Sequence, residues 1–167
     1  METELVIISP QIYHASVIGF AKKAAESNEN VCYVSLNKTY KSMLQALKKS
    51  SIEKKKFFFI DVISPTVFKT AAAKQCIFLD SLNLNDLGST LLGVIKKNRI
   101  TLVIFDSLSS LLVYKKDDEV LDFTNYVLPF LEESGVKATL LCLSDDSEKP
   151  AIKQLKMRVG DVTLMKE

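Results

Sequence analysis

The chain has 167 residues, the size of one domain with one core. Hydrophobic residues make up 47% and charged residues 25%, with no apolar run near the length of a membrane span, so a soluble globular protein is expected and a transmembrane one is excluded. The net charge of +2 is too small to imply a polyanionic partner, and with only Arg99 and Arg158 as arginines the forked contacts of sequence-specific nucleic-acid recognition are not favoured.

The first apolar run, Leu5 to Ile8, is rich in β-branched residues and stops at Ser9-Pro10, which predicts a buried strand. Apolar positions at Val17, Ile18, Ala21, Ala24 and Ala25 predict a helix over about 14–27. Val31 to Val34 reads as a second strand, and Tyr40 to Lys49 as a helix with Met43, Leu44 and Leu47 on one face. Phe57 to Ile60 is a third strand ending at Asp61. Residues 62–75, with Pro65, are expected as a loop or partial helix. Cys76 to Leu79 is a fourth strand ending at Asp80, Leu84 to Lys97 an amphipathic helix, and Leu102 to Phe105 a fifth strand ending at Asp106. Asp117 to Glu133 reads as a helix in which Pro129 introduces a bend, with Gly135 as its stop. Ala138 to Leu143 is a sixth strand, Ser147 to Lys156 a short helix, and Val159 to Met165 a last strand. Strands that are continuous apolar runs, alternating with helices, predict a mostly parallel sheet covered on both faces: a three-layer α/β/α domain over 1–167.

Glycine is scarce. Average usage gives about twelve in this length, and the chain has five, none before Gly19. Gly88 and Gly93 have the spacing of a phosphate-binding loop, but Val94 and Ile95 follow where Lys and a hydroxyl residue belong. Three cysteines (Cys32, Cys76, Cys142), each within an apolar segment and without CxxC spacing, read as buried free thiols. The start, Met-Glu-Thr-Glu, lacks the positive segment of a secretory leader, so a cytoplasmic setting is expected. The lysine pairs and triplet at 48–49, 54–56, 96–97 and 115–116 read chiefly as solvated helix ends and turns.

In a parallel sheet, ligands bind beyond the carboxyl ends of the strands. Those ends carry Ser9, Ser35, Asp61, Asp80, Asp106, Ser144 and Asp145. Asp80 and Asp106 are candidate Mg²⁺ ligands, since hard cations take oxygen donors. Each is also followed by Ser, and the plainer expectation is that each caps the next helix. His14, the single histidine, is a candidate proton shuttle or anion contact.

These ordered segments resemble the RecA-like ATPases, and within them the KaiC-like archaeal and bacterial branch. Residues 100–114, ITLVIFDSLSSLLVY, are similar to its Walker B strand, residues 31–36, VCYVSL, to its second strand, and residues 80–97 to the helix that leads into Walker B. Gly160 to Leu164 is similar to its late strand. The resemblance implies a RecA-like fold, with ATP and Mg²⁺ held by a loop after the first strand. Residues 9–16 cover that loop, and Pro10 agrees with a proline often found there. Its glycines are replaced by Ile8, Gln11 and Tyr13, its phosphate-binding Lys by His14, and its Mg²⁺-binding hydroxyl by Ala15, with Ser16 matching the next hydroxyl. The acidic pair that activates water in the family is Asn37 and Lys38 here. Asp106, followed by Ser107, alone survives of the catalytic set.

Were all three former glycine positions to keep left-handed angles, the cost would be roughly 3–6 kcal/mol, at about 1–2 kcal/mol each. A micromolar site has only about 8 kcal/mol in all. The positions Pro10, Gln11, Tyr13, His14, Ala15, Ser16, Asn37, Lys38, Asp106 and Ser107 are therefore expected to be vestigial. No nucleotide, cofactor or catalytic residue is expected. The leading expectation is a RecA/KaiC-like domain without ATPase activity that regulates or binds protein partners, another copy of itself included. Two other readings stand beside it: a signalling domain that holds nucleotide or Mg²⁺ in another manner, and a nucleic-acid-associated protein that uses its lysine clusters.

Overall fold

The structure is a computed structural model that describes residues 2–64 and 74–167. Among the described residues, seven strands form one sheet: β1 (Thr3–Ile8), β2 (Val31–Ser35), β3 (Phe57–Asp61), β4 (Cys76–Phe78), β5 (Leu102–Asp106), β6 (Lys137–Leu143) and β7 (Asp161–Met165). Their order is β4-β3-β2-β5-β6-β1-β7, and every pairing is parallel. The helices are α1 (Tyr13–Glu26), α2 (Tyr40–Lys49), α3 (Leu84–Asn98), α4 (Leu108–Tyr114), α5 (Asp117–Glu133) and α6 (Pro150–Arg158).

Two apolar cores lie on the two sheet faces. Val17, Ala21 and Ala24 of α1 and Met43 and Leu47 of α2 pack with Val6, Ile8, Tyr33, Phe59 and Ile104 on one face. Residues of α3 to α6 pack with Leu5, Ile7, Val34, Val103 and Phe105 on the other. Successive residues of one strand therefore point into different cores, which is why these strands are apolar at every position rather than at alternate ones. This is the expected three-layer α/β/α arrangement. No helix among the described residues is long and apolar enough to cross a membrane.

Several expectations hold in detail. Helices α2 and α5 have the predicted limits, and α5 runs through Pro129 without a break. Gly88 and Gly93 both lie within α3, so their loop-like spacing is a coincidence of a helix. All three cysteines are free and buried. Burial pushes the Cys76 thiol up to about 12 and the Cys142 thiol up to about 11. The expected loop over residues 62–75 falls largely on 65–73, outside the described residues.

Two expectations need correction. The residues after Asp106 form a separate helix, α4, whose N-cap is Ser107; its hydroxyl accepts from the Ser110 amide at 3.2 Å. Asp106 therefore caps nothing. Likewise α3 is capped by Asn83, whose side chain accepts from the Asp86 amide at 3.1 Å, and not by Asp80. In both cases the cap lies nearer the first helical turn than the last residue of the strand does. Only a residue directly before that turn can reach its orphan amides.

Helix α5 ends in a Schellman arrest. The Gly135 amide donates to Glu132 O at 3.1 Å and the Val136 amide to Leu131 O at 2.9 Å, with Gly135 at φ +70°. A Cβ added at Gly135 meets nothing within 4 Å, so the cost of one is purely conformational. Gly135→Ala is expected to lower stability by about 1–2 kcal/mol, read from the midpoint of urea unfolding at unchanged slope.

Candidate functional site

The carboxyl ends of β2, β3 and β5 lie side by side, because Ser35 registers with Asp61 on one side and with Asp106 on the other. All three residues are completely buried. Their side chains share the sheet face that α1 and α2 cover.

Asp61 closes the start of α2. Its carboxylate accepts from the Tyr40 amide at 2.8 Å, the Ile63 amide at 2.7 Å and the Ser64 amide at 2.9 Å, and from the Ser64 hydroxyl. Ser35 donates its hydroxyl to Lys38 O. The turn between β2 and α2 is thus held from both sides, with Thr39 as its helix cap.

The Asp106 carboxylate is bonded by side chains. The Tyr13 hydroxyl donates to Oδ1 at 2.5 Å, the Asn37 amide nitrogen donates to Oδ1 at 3.2 Å, and the Tyr33 hydroxyl donates to Oδ2. Each donor reaches it from a different element. Tyr33 comes from β2, the neighbouring strand. Asn37 comes from the turn after β2. Tyr13 is the first residue of α1, and it crosses the end of β6, which separates β1 from β5. Two strand spacings are about 10 Å, a span that suits a long side chain ending in a donor. The backbone joins in, with the Leu36 amide donating to Asp106 O at 2.7 Å.

The turn that aims Tyr13 is short. Four residues, Ser9 to Ile12, link β1 to α1, and Pro10–Ile12 form a single 3₁₀ turn. Ser9 has φ −61°, Ile12 −111° and Tyr13 −58°, and no residue of the turn has positive φ. A concave nest of amides needs alternating right- and left-handed residues. The strain expected of non-glycine residues in such a nest is therefore not incurred, because the chain takes an ordinary helical entry instead.

His14 is exposed, and its Nδ1 accepts from Lys38 Nζ at 3.0 Å. The same ammonium stands 6.0 Å from the centre of the Tyr13 ring. Of the sequence-derived positions, Tyr13, His14, Asn37, Lys38 and Asp106 are therefore brought together. Pro10 and Gln11 shape the entry turn, Ala15 and Ser16 continue α1, and Ser107 caps α4. Tyr33 was missed by sequence reasoning. The available signal was its hydroxyl, which needs a partner in a strand buried on both faces. Asp80 is not among the groups bonded to Asp106. A surface cavity of about 600 Å³ between α3 and α5, lined by Asn83, Ser89, Lys115, Glu119 and Tyr126 among others, shares no residue with the Asp106 cluster.

Burial is the main cause that raises the Tyr13 and Tyr33 hydroxyls far above the ordinary tyrosine range, and the adjacent Asp106 charge adds to it. Both phenols stay protonated in the fold at pH values where the unfolded chain releases them. Their contribution is fully present below about pH 10 and is lost as pH rises beyond it, at up to about 1.4 kcal/mol per pH unit for each. Tyr13→Phe is expected to reduce the fall in stability between about pH 10 and 11 by about 1 kcal/mol, measured by urea unfolding against the parent chain. At neutral pH the same substitution removes one of the two donors to Oδ1 and is expected to cost about 1–3 kcal/mol.

The solved structure of a KaiC-like protein from the hyperthermophilic archaeon Pyrococcus horikoshii OT3 is similar to this chain, with a TM-score of 0.66 and 14% sequence identity. The match covers 92% of this chain and 67% of that one. At this identity the likeness shows a RecA-like fold. No protein-family model matches the chain, and no curated protein matches it in sequence.

Proposed function

We propose that the chain is a RecA-like domain that does not hydrolyse ATP and acts as a regulatory or protein-interaction module. One observation carries this reading: the Tyr13 hydroxyl is bonded to Asp106, the residue that the resemblance assigns to the metal-binding strand end.

Both oxygens of that carboxylate already accept hydrogen bonds from protein side chains. A cation there has to displace neutral donors that are themselves buried, leaving phenol hydroxyls without partners. Each such loss costs about 1–3 kcal/mol. The turn before α1 presents no nest for phosphates, and the position of the phosphate-binding lysine is an exposed histidine turned to Lys38. Asn37, where the family carries part of its acidic pair, donates a hydrogen bond and has no carboxylate to accept a proton from water. These residues fit neither Mg²⁺ nor a nucleotide triphosphate. Four parts of the hydrolytic mechanism are replaced together, whereas the buried frame around them is well satisfied: no buried side-chain polar atom among the described residues lacks a partner.

A domain that keeps a rigid core without the chemistry acts through contacts, with a protein partner or with another copy of itself. Isothermal titration calorimetry of the chain with ATP and Mg²⁺ tests the reading. The expected result is no saturable heat. Metal-dependent binding in the micromolar range, or turnover lost in Asp106→Ala, contradicts it.

A further inference from the structure

The corner where α2 ends and β3 begins carries positive charge that the Asp106 cluster does not use. Residues 48–56 read Lys-Lys-Ser-Ser-Ile-Glu-Lys-Lys-Lys, with five lysines against one glutamate, a net +4. The backbone there has a fixed shape. Helix α2 stops at Ser50, and Ser51 takes φ +58°. The Ser51 amide donates to Lys48 O at 3.1 Å and the Ile52 amide to Leu47 O at 2.9 Å, a second Schellman arrest. Leu47 and Ile52, its apolar pair, are both buried in the core beneath α1 and α2. The turn is anchored by its one large apolar residue and leaves its lysines outside.

Lys54–Lys56 form a 3₁₀ turn directly before β3. Gln75 Nε2 donates to Lys55 O at 3.3 Å, which brings the start of β4, with exposed Lys74, to the same corner. Lys55 pairs with Glu53 at 3.2 Å in a solvent-exposed contact, and Lys56 donates to Asn28. Among the described residues, Lys48, Lys49, Lys54 and Lys74 have no carboxylate partner within 4.0 Å.

We propose that this corner binds the phosphate backbone of a nucleic-acid duplex, without sequence preference. A duplex presents one negative charge per about 1.7 Å of axis, a dense line of charge that a cluster of exposed lysines matches. Ser50 and Ser51 stand between the two lysine groups, small enough for close approach and able to donate hydroxyls to phosphate oxygens. The corner has no arginine, so forked contacts to base edges are not made. It exposes no large apolar side chain between Lys48 and Lys56, so an acyl layer has nothing to take in. It lies at the amino end of the strands, opposite Asp106, and does not depend on the reading of that site.

Fluorescence anisotropy of the full chain with a labelled, mixed-sequence DNA duplex tests this, starting at about 50 mM salt, which favours such contacts. Affinity is expected to fall on raising salt with a log–log slope of about −4, for about four displaced counterions. Lys48→Glu/Lys54→Glu/Lys55→Glu is expected to weaken binding by more than about tenfold at that salt. The neutral pair Lys48→Gln/Lys49→Gln reduces the slope by about 2. Lys97→Glu/Lys116→Glu/Lys166→Glu, an equal charge change elsewhere on the surface, leaves affinity within about twofold. Circular dichroism confirms that each variant is folded. No binding at about 50 mM salt, an equal loss in the control triple, or binding to phosphatidylserine vesicles without binding to the duplex overturns the proposal.

Discussion

A carboxylate buried at the end of a central strand, bonded by neutral side-chain donors, dictates the arrangement around it. Asp106 is fully buried and takes its hydrogen bonds from two phenols and an amide. Hydrogen bonds to a charged acceptor are worth about 1.5–3 kcal/mol each, and an unsatisfied buried charge costs more. The three donors come from β2, from the turn after it and from the first residue of α1. That one carboxylate therefore ties the entry of α1 to the middle of the sheet, across the end of β6. The four-residue turn from β1 follows from the same constraint, because α1 has to begin at Tyr13 for the hydroxyl to arrive.

The same contact bears on what the resemblance implies. In the resemblance, the loop after β1 and the carboxylate after β5 face each other across a phosphate and its metal. Here they meet directly through a tyrosine. The glycine-free stretch after β1 is not a strained loop: it is a 3₁₀ turn followed by a helix whose first side chain serves the core. Lys38 and His14, which the resemblance lays on a catalytic acid and a phosphate-binding lysine, contact each other at the surface above it.

The sheet and most helices were legible in the sequence because both faces of the sheet are covered. Continuous apolar runs then mark every strand, and 3.6-residue spacing marks α1, α2, α3 and α5. Helix α4 was not legible. Its seven residues begin two positions after β5, and Leu108 to Tyr114 have no room to show a helical period. The capping roles of Asp80 and Asp106 were misread because an Asp at a strand end reads as a cap, whereas the helix here starts after one further residue, capped by Ser107, or after three, capped by Asn83. The positions Tyr13, His14, Asn37 and Lys38 were singled out by the resemblance to a family. That Tyr13 reaches Asp106 could not, since they are 93 residues apart and no periodicity links them.

The central claim is that Tyr13 occupies the place of bound phosphate and metal. The most direct measurement is a crystal structure determined from the chain with a saturating excess of ATP and Mg²⁺. The Tyr13 hydroxyl is predicted to remain on Asp106, with residues 9–16 in the 3₁₀ turn and helix described above. A nucleotide phosphate seated over that turn, with Tyr13 swung away and a cation on Asp106, would contradict the account.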